Sequence, residues 1–118
     1  MKKINIVKKN TDFSRIIHNC RYSKNDLFVI YIERNKETEN YHFGISVSKK
    51  VGNAVTRNKI KRQIKDIIDK FYYQNNFNCI IIVKKNIVFS DYQEIKKQLV
   101  SLLIKEKVIK GEKYEEKK

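Results

Sequence analysis

Hydrophobic positions along the chain follow two periods, and the switches between them mark its elements. Phe13, Ile16 and Ile17 recur at i, i+3 and i+4, which predicts a short helix ending near Asn19. Asn10-Thr11-Asp12 supplies side-chain oxygens for its N-cap. The run LFVIYIE, residues 27–33, is β-branched and aromatic with both faces apolar, so it reads as a strand. Residues 41–48 alternate cleanly. Tyr41, Phe43, Ile45 and Val47 share one face; His42, Gly44, Ser46 and Ser48 share the other. The short polar connection 34–40 between these runs predicts an antiparallel pair. The period then returns to helix from an Asn53 cap to about Tyr72, with Ile60, Ile64, Ile67, Ile68 and Phe71 as the core stripe. Asn75-Asn76 breaks the chain. CIIIV, residues 79–83, is apolar throughout, which suits a strand buried on both faces and paired in parallel after a crossover helix. Ser90 and Gln93 have capping-box spacing. A last helix follows, with Tyr92, Ile95, Leu99, Leu102 and Leu103 at core spacing and Gly111 as its stop.

The predicted order is α-β-β-α-β-α, with a small extra strand near Tyr22-Ser23. This is the α+β class: one domain over residues 1–118, a sandwich of helices on a mixed sheet. Residues 1–9 read as a basic arm and residues 111–118 as a frayed tail.

Charge changes the picture most. There are 27 Lys and Arg against 13 Asp and Glu, a formal +14. The excess is uneven. Net charge is +6 over residues 1–24, −2 over 25–48, +6 over 49–70 and +4 over 71–118. A chain enriched in Lys and Asn throughout would be basic everywhere, whereas this one is sided. Such a field draws polyanions, nucleic acid first, because each neutralised phosphate releases counterions. No apolar run approaches the ~20 residues of a membrane span, and no apolar segment follows the basic N-terminus as in a signal peptide. Two cysteines, Cys20 and Cys79, make neither a disulfide framework nor a zinc set. The expectation is a cytoplasmic protein without membrane or small-molecule partners.

The basic helix has a definite geometry. With Arg57 at 0° and roughly 100° per residue, Lys61 and Lys65 fall near 40° and 80°, and Asn58 and Arg62 near 100° and 140°. The apolar stripe centres near ~310°. One face therefore carries five donors. Lys49 and Lys50 precede the helix N-terminus, whose free N–H groups and dipole also favour phosphate. Arg forks bind phosphate bidentately, Lys adds point charge, and Asn both donates and accepts. Phe13 and Tyr31 could line a groove where a single strand stacks; core packing is the other reading of the same rings. His18 and His42 are isolated in sequence. No Ser-His-Asp order, Walker loop or metal spacing accompanies them, so no independent active site is expected.

The run GISVSKKVGNAVTRNKIKR, Gly44 to Arg62, closely resembles the signature of the bacterial ribonuclease P protein component. Phe13 in DFSRII, FVIY at residues 28–31, CIIIVKK at 79–85, Tyr92 and LVSLL at 99–103 fall where that family has their counterparts. The resemblance implies the protein subunit of an RNA-catalysed endonuclease that removes the 5′ leader of precursor tRNA with Mg²⁺. Lys49, Lys50, Asn53, Arg57, Asn58, Lys61, Arg62 and Lys65 would face the catalytic RNA. Phe13, Ile17 and Tyr31 would line a cleft for the leader. It also implies a left-handed β-α-β crossover, against the usual right-handed rule. Ile17 stands where the family commonly has an aromatic, Cys20 where it has Gly, and Lys65 where it has Arg. The alternative is a non-catalytic general RNA-binding or ribosomal protein, for which the charge alone argues.

Overall fold

The computed structural model describes residues 10–36 and 39–113. Its elements are α1 (Asn10–Asn19), β1 (Tyr22–Lys24), β2 (Phe28–Arg34), β3 (Tyr41–Ser46), α2 (Ala54–Ile68), β4 (Phe71–Tyr73), β5 (Phe77–Val83), a 3₁₀ segment (Lys85–Phe89), α3 (Tyr92–Lys105) and β6 (Ile109–Glu112). The basic arm 1–9 and the Asn10 and Thr11 side chains expected to cap α1 lie outside what is described.

A four-stranded sheet in the order β1-β2-β5-β3 forms the centre. β5 runs antiparallel to β2 and parallel to β3. The mixed sheet, the parallel crossover through α2 and the small strand at Tyr22 all match the sequence reading. The expected antiparallel pairing of β2 with β3 does not. β5 lies between them, because a strand apolar on both faces gains most from a central place, whereas β3, with Gly44 and Ser46, tolerates an edge.

Alternation assigns the two faces. Phe28, Ile30, Phe43, Phe77, Cys79 and Ile81 point into the main core, where Ile60, Ile64, Ile67 and Ile68 of α2 and Leu99 and Leu103 of α3 meet them. The opposite face carries α1, whose Ile16 is fully buried.

Three boundaries differ from expectation. α2 stops at Ile68 and is capped by Asp69; Phe71 continues the helical stripe in period but belongs to β4, which pairs antiparallel with β6. Asp91, not Ser90, caps α3, its carboxylate accepting from the Glu94 N–H at 2.9 Å. The helix ends at Lys105, not near Gly111. Val108 N–H donates to the Leu103 carbonyl and Lys107 N–H to the Ile104 carbonyl, a Schellman closure with Lys107 in the left-handed region at φ 61°. Gly111 then sits inside β6, so the segment expected to be frayed from 111 is a paired strand through Glu112. Residues 114–118 lie outside what is described.

Candidate nucleic-acid interface

Asn53 caps α2, its side-chain oxygen accepting from the Thr56 N–H at 2.9 Å. The four isoleucines of the stripe are buried, and Asn58, Arg62 and Lys65 are exposed as the helical angles predict. Lys61 is half-buried. Arg57 is also half-buried, and its Nε donates to the Gly52 carbonyl at 3.1 Å, which ties the helix to the turn before it. Lys49 and Lys50 are exposed in that turn. Asn53 and Arg57 thus have structural work in addition to the RNA-facing role the resemblance implies. Asn58, Arg62 and Lys65 keep their side chains in solvent.

Asp66, on the same helix, is engaged elsewhere. Tyr92 of α3 donates to the Asp66 carboxylate at 2.6 Å, and the Lys70 ammonium lies 3.6 Å from it. The Tyr92 hydrogen bond, with Lys70 nearby, holds the Asp66 carboxyl below the usual range; burial, reinforced by Asp66, pushes the Tyr92 hydroxyl up to about 12. Asp66 therefore joins α2 to α3.

The second part of the site lies on the α1 face of the sheet, where strand register builds cross-strand rows. One row is Tyr22, Tyr31, Ile80 and Gly44; the next is Lys24, Val29, Ile82 and Ser46. Phe13 lies directly on Gly44. A Cβ there would come within 2.5 Å of the Phe13 Cζ and 2.9 Å of the Ile80 Cδ1. α1 thus covers Gly44 and Ile80, which are buried, but only half covers Val29, Tyr31, Ser46 and Ile82. Phe13 and Ile17, one helical turn apart, are half-buried above them. The result is a half-open apolar groove with Tyr31 in its floor. Phe13 takes the room above Gly44, and the opening lies over the Ser46 row.

A polar row closes the other side. Arg15 of α1 pairs with Glu33, Asn78 donates to Glu33 at 2.8 Å, and the Asn78 oxygen meets His42 Nδ1 at 2.8 Å. Because Asn78 gives its N–H₂ to a carboxylate that only accepts, its oxygen faces His42, and the His42 Nδ1 carries the proton. Burial works to raise the Glu33 carboxyl, but the hydrogen bonds from Arg15 and Asn78 outweigh it and leave it below the usual range. His18 Nδ1 donates to the Ser14 carbonyl at 2.7 Å on exposed α1. Cys20 closes α1 through its N–H to the Ile16 carbonyl at 3.0 Å without a left-handed φ, so the turn does not require glycine.

Sequence reasoning missed Tyr22. Its ring lies 5.7 Å from that of Tyr31 and 56% of the residue is exposed. The weak signal was its place in the small strand. It also missed Val55, 78% exposed in the first turn of α2, which belongs to no apolar stripe.

Among the described residues no three His, Cys, Asp or Glu side chains converge as a metal set, and no helix is long and apolar enough to cross a membrane. The turn bearing Lys49 and Lys50 leaves β3 just past Ser46, so the groove and the basic helix share one edge strand. These features define a class: a small, strongly basic α+β protein with a polyanion-complementary helix beside a half-open groove. Comparison with known proteins makes the assignment particular. The sequence model of the ribonuclease P family matches residues 1–107. The ribonuclease P protein component of Mesoplasma florum is 38% identical over 108 residues, covering 89% of this chain and 97% of that one. Its counterpart from Listeria innocua is 38% identical over 112 residues, covering 93% and 94%. A solved mutant of the Staphylococcus aureus RNase P protein, with defective mRNA degradation activity, superposes with a TM-score of 0.82 at 38% identity, covering 90% of this chain and 91% of that one. The chain belongs to the ribonuclease P protein family.

Proposed function

We propose that this chain is the protein subunit of ribonuclease P: it docks the catalytic RNA on the exposed α2 face and holds the 5′ leader of precursor tRNA in the groove beside α1, promoting Mg²⁺-dependent removal of the leader. The observation that carries this reading is the shared edge. A structured RNA held by Asn58, Lys61, Arg62, Lys65 and the Lys49-Lys50 turn lies next to a groove lined with rings and small side chains suited to an unpaired strand. Lys49, Lys50, Asn53 and Arg57 complete the RNA-facing set; Phe13, Ile17 and Tyr31 make the groove. Mg²⁺ belongs in this reading to the RNA phosphates.

Reconstitution tests the proposal. The protein, mixed with a ribonuclease P RNA and precursor tRNA at low Mg²⁺, increases the rate of leader removal. No increase would refute it, and stable co-sedimentation with ribosomal subunits would favour a ribosomal role. Cleavage that survived complete removal of RNA would point to a nuclease centre in the protein itself.

A further inference from the structure

The groove does not end at Tyr31. Tyr22, directly across the β1–β2 ladder, continues the same row to the sheet edge with its ring 5.7 Å from that of Tyr31 and more than half its surface in solvent. Beyond it opens a cavity of about 720 Å³ that Tyr22 itself lines, with Arg21, Arg34 and Lys105 around it. The two carboxylates there are engaged: Glu33 accepts from Arg15 and Asn78, and Glu106 accepts from the Ser23 hydroxyl. Arg34 alternates with Glu33 and lies on the α3 side of the sheet, where it donates to the Glu106 carbonyl at 2.6 Å. An exposed aromatic face at the sheet edge, with the exposed Arg21 beside it and Lys24 on the same sheet face, fits one nucleotide, its base on the ring and its phosphate on these cations.

We infer that Tyr22, with Arg21 and Lys24, forms a distal subsite for single-stranded RNA, reached by the leader after it has crossed Tyr31. This inference rests on the ribonuclease P reading and extends it to a particular nucleotide position. Lys24, one row over on the same strand face, keeps the path basic.

The test uses the holoenzyme assembled with ribonuclease P RNA and precursor tRNAs whose leaders lengthen one nucleotide at a time. Wild-type affinity rises with leader length. Tyr22→Ala loses about 5- to 100-fold, the range of one lost stacking contact, only with leaders long enough to reach it. Tyr22→Phe keeps the ring and binds like wild type. Arg21→Ala lowers the slope of log affinity against log salt by about one. If wild type gains with leader length and Tyr22→Ala gains equally, the subsite alone is refuted. Equal losses for every leader, and for mature tRNA, refute it too. A wild type indifferent to leader length overturns the leader groove together with its extension.

Discussion

The ring of Phe13 occupies the space a side chain at Gly44 would need, and this decides where the groove opens. Two effects compete in Gly44→Ala. Loss of chain entropy in the unfolded state stabilises by about 0.4–1 kcal/mol. Overpacking against Phe13 and Ile80, at 2.5 and 2.9 Å, costs about 1–3 kcal/mol. The clash is met by the tip of a ring and a terminal methyl, which can move, so the net is a loss of about 1 kcal/mol in urea unfolding. The displaced ring also weakens binding of leader-bearing substrate more than of mature tRNA, and Phe13→Leu in the same chain restores part of the stability. A stabilised Gly44→Ala would show that the ring does not rest there. Alternation along β3 made the His42-Gly44-Ser46 face legible. It could not reveal that α1 would fill the Gly44 position and leave Ser46 open, because that depends on where a helix from another part of the chain comes to rest.

At the scale of an element, α2 was legible where its period is undisturbed. Ile60, Ile64, Ile67 and Ile68 are buried and Asn58, Arg62 and Lys65 exposed as the 3.6-residue repeat requires. Its end was not. Phe71 fits the stripe as well as it fits the buried-exposed-buried strand it joins, and the partner that decides, β6, lies about forty residues later. The tie from Arg57 to the Gly52 carbonyl was equally hidden, since it depends on the turn and not on the helix. It separates two arginines that otherwise look alike. Arg62→Ala leaves urea stability unchanged and weakens catalytic-RNA binding. Arg57→Ala weakens binding and also costs about 0.5–1.5 kcal/mol of stability, the worth of one hydrogen bond. Equal stability losses for the two would mean that the Arg57 tie contributes nothing.

For the whole molecule, the class and the parallel crossover followed from the switch of period and the doubly apolar β5, while the strand order required a long-range pairing that neighbouring strands disguised. The same non-local closure governs the C-terminal segment. β6 pairs Phe71 with Glu112, Tyr72 with Gly111 and Tyr73 with Ile109. Val108 before it is fully buried and its carbonyl accepts from the Gln74 N–H at 2.8 Å; Lys113 N–H reaches the Lys70 carbonyl at 2.8 Å. A chain ending at Lys107 therefore loses a core valine and exposes β4 at the foot of α2. Burial of the valine alone sets the loss at about 2 kcal/mol or more in urea unfolding. A chain ending at Lys113 keeps every one of these contacts and serves as the comparison. Both truncated chains keep every donor of α2, so at low temperature, where both are folded, their affinity for the catalytic RNA is the same. A chain ending at Lys107 as stable as one ending at Lys113 would mean that β6 adds nothing to the fold. A selective loss of RNA affinity in the folded shorter chain would place that segment at the RNA interface instead.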